Sequence, residues 1–143
     1  MQIKDVMTRD VVSIAPEESV SVAARSLSRN NIGSLPVCSG DGKLRGMVTD
    51  RDIVLRSVAA NEDAGQQAVR EIMTRRLITV RPEDSLNLAA GLMAKEQVRR
   101  LPVVSAGKLV GMVSTKDLLQ TPGMTMEAIR ALEGISSNIR ETK

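Results

Sequence analysis

Two stretches carry the residue types most able to do chemistry: Gly46-Met47-Val48-Thr49-Asp50-Arg51-Asp52 and Gly111-Met112-Val113-Ser114-Thr115-Lys116-Asp117. In each, an apolar run ends on a hydroxyl residue, with a base two positions later and an acid three positions later. This spacing reads in two ways. Thr49 or Ser114 can cap the N-terminus of a helix, with the acid closing a capping box. Aspartate is a methylene shorter than the usual glutamate, so that reading expects a strained reciprocal bond. The second reading is a cradle for a sugar phosphate. A helix start offers unpaired amides and the positive end of a dipole. Arg51 and Lys116 each add a cation there, and Asp52 or Asp117 can accept both hydroxyls of a ribose. Gly46 and Gly111, lacking Cβ, would let backbone and ligand approach closely. On the residues alone both readings stay open.

Other chemistries are closed by composition. The chain has no His, Phe, Trp or Tyr. Histidine acid–base catalysis, His-containing zinc sites and Ser-His-Asp or Cys-His nucleophiles therefore have no residues to use, nor do aromatic platforms for single strands. No G-x-x-x-x-G-K-[ST] or G-x-G-x-x-G run occurs, and a catalytic barrel of about 250 residues exceeds the 143 present. An enzyme is not expected, nor a metal. The 20 basic and 17 acidic residues are interspersed, so the net charge of +3 forms no basic stripe and nucleic acid is not the expected partner. The lone Cys38 cannot form an internal disulfide, which suits a reducing cytoplasm; its simplest role is a small buried hydrophobe in a strand. No apolar run reaches 18 residues and the first residues hold no signal-like segment, so a cytoplasmic protein with no membrane partner is expected.

The elements that position these stretches follow from an internal repeat. Ile3-Lys4-Asp5-Val6-Met7-Thr8 returns 66 positions later as Val69-Arg70-Glu71-Ile72-Met73-Thr74. Pro16-Glu17-Glu18-Ser19 returns as Pro82-Glu83-Asp84-Ser85, and Leu35-Pro36-Val37 as Leu101-Pro102-Val103. After one residue is lost in a turn the offset becomes 65, and Gly46 to Asp52 maps onto Gly111 to Asp117. Each repeat reads as strand, helix, strand, strand, helix. Val11-Val12-Ser13-Ile14 is β-branched and is expected to be the first strand. Ser19 is expected to cap a helix whose Val20, Ala23, Ala24 and Leu27 share one face; Ser85 does the same ahead of Leu86, Ala89, Ala90 and Met93. Pro36 opens a strand, Gly40-Asp41-Gly42 turns it into a hairpin, and Leu44 to Thr49 runs into a helix from about Asp50 to Ala60.

The expected fold is therefore mixed α/β (α+β): two β-α-β-β-α units packed through their sheets around one shared core, with pseudo-two-fold symmetry. The boundaries are residues 1–60 for the first unit, 61–68 for a polar linker and 69–122 for the second. Residues 123–143 are expected to form an amphipathic helix in which Met126, Ile129, Leu132, Ile135 and Ile139 make a core or dimer face.

The two repeats resemble CBS domains, and the tandem is similar to the paired arrangement called a Bateman module. Three motifs carry the resemblance. They are Met7-Thr8 with Val11 to Ile14, Ile32-Gly33-Ser34-Leu35-Pro36-Val37, and Gly46 to Asp52. Their copies are Met73-Thr74 with Leu77 to Val80, Val98 to Val103, and Gly111 to Asp117. The resemblance implies adenosine-containing ligands (AMP, ADP, ATP or S-adenosylmethionine) in clefts between the units, with no cofactor required. It implies that Asp52 and Asp117 hold ribose hydroxyls, that Thr49 and Ser114 approach the ribose and phosphate, and that Arg51 and Lys116 sit near phosphates. The stretches around Thr8 and Val12, and around Thr74 and Ile78, would line adenine, and Pro36 and Pro102 would shape the far walls. Ser34 and Arg100 would face the phosphates, Arg100 making the second cleft cationic and Ser34 the first neutral. The implied function is a non-catalytic sensor, homodimeric, reporting to an unknown effector protein in trans. The competing reading is a dimerisation or interaction module with empty clefts.

Overall fold

In a computed structural model the chain is described over residues 1–141, with side chains described through Ile135. The order of elements is α1 (Val20–Asn30), β1 (Ser34–Cys38), β2 (Leu44–Thr49), α2 (Asp50–Ile53), α3 (Leu86–Glu96), β3 (Arg100–Ser105), β4 (Lys108–Ser114), α4 (Thr115–Leu119) and α5 (Met126–Glu141). The expected mixed fold is present. Short 3₁₀ turns, Ile3–Asp5 and Val69–Glu71, precede each Met-Thr pair.

The chain divides into two compact units that do not coincide with the sequence repeats. One comprises Val12–Leu77; the other joins Met1–Val11 to Ile78–Lys143. The reason lies in the hydrogen bonds. Met47 exchanges both backbone bonds with Thr74, at 3.0 and 2.8 Å, and Thr8 exchanges both with Met112, each at 2.9 Å. Each repeat's leading Met-Thr segment thus completes the hairpin of the other repeat. Elsewhere Val20 N–H donates to Gln67 at 2.9 Å and Val69 N–H to Glu18 at 2.8 Å, fastening residues 67–69 to the start of α1; Ile3 and Lys4 donate likewise to Asp84 and Pro82.

In the Val12–Leu77 unit, α1 begins where expected: Ser19 Oγ accepts from Val22 N–H at 3.2 Å, and Val20, Ala23 and Leu27 are buried. The helix ends on Asn31 in the left-handed region (φ 52°), whose N–H reaches the last carbonyls. β1 and β2 form the expected antiparallel hairpin, and Gly42 takes a positive φ of 84° in its turn. Val11 to Ile14 departs from expectation. Only Ile14 bridges Val37, donating to the Pro36 carbonyl at 3.0 Å and accepting from Cys38 at 2.9 Å, so the expected strand is a one-residue rung. The side chains of Val12 and Ser13 are exposed, and exposed β-branched residues gain nothing from a pleat they do not pack on. Pro36 sits at the centre of β1 and not at its opening. Its nitrogen faces the Ile14 side, away from the β2 ladder, where no hairpin bond is lost. The helix after β2 also differs: α2 is α-helical only to Ile53, and Val54–Val58 winds as a π-helix in which Ala59 N–H reaches Val54 at 2.8 Å.

The other unit repeats the plan. Ser85 Oγ caps α3 at 3.1 Å, β3 pairs with β4, and Val80 bridges Val103. Its addition is α5, whose Ala128, Leu132 and Ile135 are buried against a cluster containing Leu86, Ala89, Ala90 and Met93. The expected core face of the tail is therefore real at Leu132 and Ile135, while Met126 is exposed and the side chain of Ile139 lies outside the described residues. Instead of one shared core there are, among the described residues, two clusters. One is built on Ile14, Val20, Leu27, Leu35, Val37, Val48, Val69 and Ile72, the other on Ile3, Val80, Met93, Leu101, Val113, Leu118 and Leu132. Each draws from both repeats, because the exchanged segments bring Val69 and Ile72 to one and Ile3 to the other.

Candidate functional site

The exchange of leading segments decides which of the expected site residues meet. Val12, Ser34, Pro36, Thr49, Arg51, Asp52 and Thr74 share the Val12–Leu77 unit. Thr8, Ile78, Arg100, Pro102, Ser114, Lys116 and Asp117 share the other. Thr8 and Val12, expected to act together, fall in different units, as do Thr74 and Ile78.

Asp52 stands where β2 becomes α2. Thr49 Oγ1 accepts from Asp52 N–H at 3.0 Å, and Asp52 Oδ2 accepts from Thr49 N–H at 3.0 Å. Ser114 and Asp117 make the same pair of bonds, at 3.2 and 2.8 Å. Both capping boxes are therefore complete at ordinary lengths, and the expected strain is absent. An extended N-cap, with φ −115° and ψ 164° in both cases, brings the shorter carboxylate within reach. Capping consumes one carboxylate oxygen and leaves the other to the surroundings. Asp52 is buried, at 8% exposure, and its Oδ1 lies 3.5 Å from Thr74 Oγ1 and 3.4 Å from Arg56 Nη1. Asp117 is half-buried, and among the described residues Ser114 is its one side-chain hydrogen-bond partner.

The hairpin fixes these starts from the side. Ser34 faces Thr49 across the β1–β2 ladder and Arg100 faces Ser114 across β3–β4. Gly33 and Arg99 carbonyls accept the first helical amides, Asp50 and Thr115, at 3.0 and 2.9 Å. Arg51, Lys116 and Arg100 are exposed cations at these junctions. Pro36 and Pro102 are buried at the strand centres, Ile78 is packed against the core of its unit, Val12 is 40% exposed, and Thr8 is exposed.

Two features correct or extend the sequence reading. Gly46 and Gly111 do provide close approach, but to the chain itself. A Cβ at Gly46 would stand 2.8 Å from the Thr74 carbonyl and 2.9 Å from Met73 Sδ; at Gly111 it would stand 2.9 Å from the Thr8 carbonyl and 2.6 Å from Met7 Sδ. The glycines admit the exchanged Met-Thr segment, and that contact requires no ligand. Arg56 was not foreseen. Its Nη1 donates to the Ile72 carbonyl at 2.8 Å while facing Asp52, so it ties the π-helical segment after α2 to the exchanged segment. The sequence signal was an acid–base pair four residues apart, too common on helices to single out.

Among the described residues no group of three or more Cys, Asp or Glu could hold a metal ion, and no helix is long and apolar enough to cross a membrane. The one thiol, Cys38 in β1, is half-buried; burial pushes its pKa up, against a smaller opposing hydrogen bond from Ser13.

Comparison with known proteins identifies the family. The CBS domain-containing protein YhcV of Bacillus subtilis is 41% identical over 134 residues, covering 94% of this chain and 94% of that protein. The crystal structure of Hypoxic Response Protein I, described with two coordinated zinc ions, superposes with a TM-score of 0.79 at 33% identity, over 85% of this chain and all (100%) of the other. A CBS domain pair in complex with 5′-methylthioadenosine and S-adenosyl-L-methionine gives a TM-score of 0.73 at 30% identity, covering 84% and 94% of the two chains. CBSX2 in complex with AMP also gives 0.73, at 29% identity, covering 83% and 93%. The CBS-domain family model matches twice, at residues 3–59 and 69–122. The two family-model matches and the YhcV relative show that this chain is a tandem of two CBS domains and a member of that family.

Proposed function

We propose that the chain is a non-catalytic regulatory module that binds an adenosine-containing ligand at the helix starts of its two compact units and passes the occupied state to a partner protein in trans. One observation carries this reading. In both units an aspartate three residues after a hydroxyl cap spends only one carboxylate oxygen on the cap. The other is held at the junction of hairpin and helix, where a ribose diol can be accepted. Thr49 and Ser114 supply hydroxyls beside it, Arg51, Lys116 and Arg100 supply cations for phosphate, and Thr74 and Thr8 border the site from the exchanged segments. Ser34, Pro36 and Pro102 shape the strand side, and Val12 and Ile78 offer aliphatic contact to a purine. Relatives of similar fold in complex with AMP, S-adenosyl-L-methionine and 5′-methylthioadenosine support the ligand class. Regulation requires that the ligand favour one arrangement of the protein over another, since equal affinity for both shifts nothing.

The test is a thermal-shift screen with AMP, ADP, ATP, NAD and S-adenosylmethionine, followed by calorimetry. A rise in melting temperature that grows with ligand concentration supports the reading; flat melting curves with all five overturn it. A second reading, a homodimerisation or interaction module without ligand, is favoured by one observation. Val54, Leu55 and Val58, all in the π-helical segment, are each at least half exposed. It predicts a concentration-dependent mass in sedimentation equilibrium that is abolished by Val58→Glu and unaffected by nucleotides.

A further inference from the structure

The two helix starts have nearly the same capping box but different surroundings, and the difference centres on Arg56. Asp52 Oδ1 faces Arg56 Nη1 at 3.4 Å and Thr74 Oγ1 at 3.5 Å, and its side chain is almost fully covered. Arg56 is itself held. Its guanidinium donates to the Ile72 carbonyl at 2.8 Å, and its backbone carbonyl accepts from Gln67 Nε2 at 3.3 Å. It therefore reaches Asp52 from a fixed position, although half of its side chain is solvent-exposed. The residue four positions after Asp117 is Thr121, whose Oγ1 turns back to the Asp117 backbone carbonyl at 2.7 Å and leaves the carboxylate alone. Pro122-Gly123 follows and α4 has already ended at Leu119, so no helical position carries a base to Asp117. Among the described residues Asp117 has no ion-pair partner, and Thr8 makes no hydrogen bond to it of the kind Thr74 makes to Asp52.

A ribose diol must find a carboxylate oxygen with free lone pairs. At Asp117 that oxygen is available. At Asp52 the diol competes with an arginine and a hydroxyl already in place. We propose that the two sites are inequivalent, with Asp117 the high-affinity ribose acceptor and Arg56 a positioning residue that holds Asp52 in a self-satisfied state, making its unit the weaker site. This rests on the adenosyl-ligand reading above. An exposed ion pair is worth up to about 1 kcal/mol, which corresponds to about fivefold in affinity. The first ligand would therefore enter the Asp117 unit, and the Asp52 unit would fill only at several-fold higher concentration.

The experiment is isothermal titration of the full chain with AMP, ATP and S-adenosylmethionine in turn, on the wild type and on Asp52→Asn, Asp117→Asn and Arg56→Gln. Supporting results are specific. Asp117→Asn removes the tighter binding event and Asp52→Asn leaves it. Arg56→Gln tightens the weaker event about fivefold. If Arg56→Gln unfolds the protein, Asp52→Asn and Asp117→Asn still decide, because only loss of the tighter event confined to Asp117→Asn supports the inequivalence. Binding with equal loss in Asp52→Asn and Asp117→Asn, or tighter binding in Asp52→Asn, overturns the inequivalence while leaving the ligand reading intact. Silence of the wild type with all three compounds overturns the ligand reading and this proposal together.

Discussion

A carboxylate at the third position of a helix has two oxygens to place, and at Asp117 the cap uses one of them. Asparagine keeps an acceptor oxygen for the Ser114 amide but gives up the charge. Asp117→Asn is therefore expected to lower AMP affinity by about 10- to 150-fold, since a hydrogen bond to a charged group is worth about 1.5–3 kcal/mol, with the melting temperature nearly unchanged. Calorimetry and a thermal melt on the same sample check it; a lower melting temperature with intact binding assigns the residue to capping alone. Cys38 gives a second expectation. Burial holds its thiol protonated above the usual range, so alkylation by iodoacetamide should be slow at pH 8 and still accelerating past pH 9. Because the folded pKa lies above the unfolded one, this group's contribution to stability is complete below the unfolded value and is lost as pH rises through the folded one. At this scale the acids, hydroxyls and bases of the two junctions were legible from spacing. The Arg56 contact was not, because it depends on a π-helical segment and on the Ile72 carbonyl arriving from a distant stretch.

Elements were legible where sequence period and burial agree. Ser19 and Ser85 begin their helices, and the Gly42 turn forms its hairpin with a positive φ of 84°. The misreadings share one cause. Val11 to Ile14 has strand propensity, yet propensity yields a ladder only where a neighbour offers a row of partners, and Ile14 alone finds one. Gly46 and Gly111 were expected to admit a ligand, and spacing could not say that the group they admit is the Met-Thr segment. This yields an element-scale expectation. Gly111→Ala forces its methyl onto Met7 Sδ and the Thr8 carbonyl, and the carbonyl cannot move without breaking the paired bonds between Thr8 and Met112. The cost should fall in the range of overpacked cores, about 1–3 kcal/mol, read from the shift in urea midpoint. Ala at Gly91, in α3, meets nothing within 4 Å and serves as the control; an equal loss at both positions would refute the close-approach account.

For the whole molecule, the duplication was plain from sequence, but the way its pieces combine was not. Nothing in a repeat's residues says that its first segment belongs to the other copy's hairpin; that becomes visible only through bonds between residues such as Met47 and Thr74. The distinction is measurable with fragments of equal length. Residues 1–66 contain one sequence repeat without its partner segment, whereas residues 12–77 contain a complete compact unit. The second fragment should show more helical circular dichroism and stronger amide-exchange protection at Val48 and Met47 than the first. Similar spectra and protection in both would contradict the exchanged arrangement. Small size makes either fragment marginal on its own, so the comparison and not absolute stability is the readout.

The same exchange sets a timetable for synthesis. A nascent chain can close the Val12–Leu77 unit as soon as Leu77 clears the ribosome. The segment ending at Thr8, translated before it, must wait until Met112 has emerged to find the backbone it pairs with. The earlier segment is thus docked after the unit that follows it in the chain. Until then Ile3 and Met7 are hydrophobic side chains without a home, held on a tether whose far end is already folded.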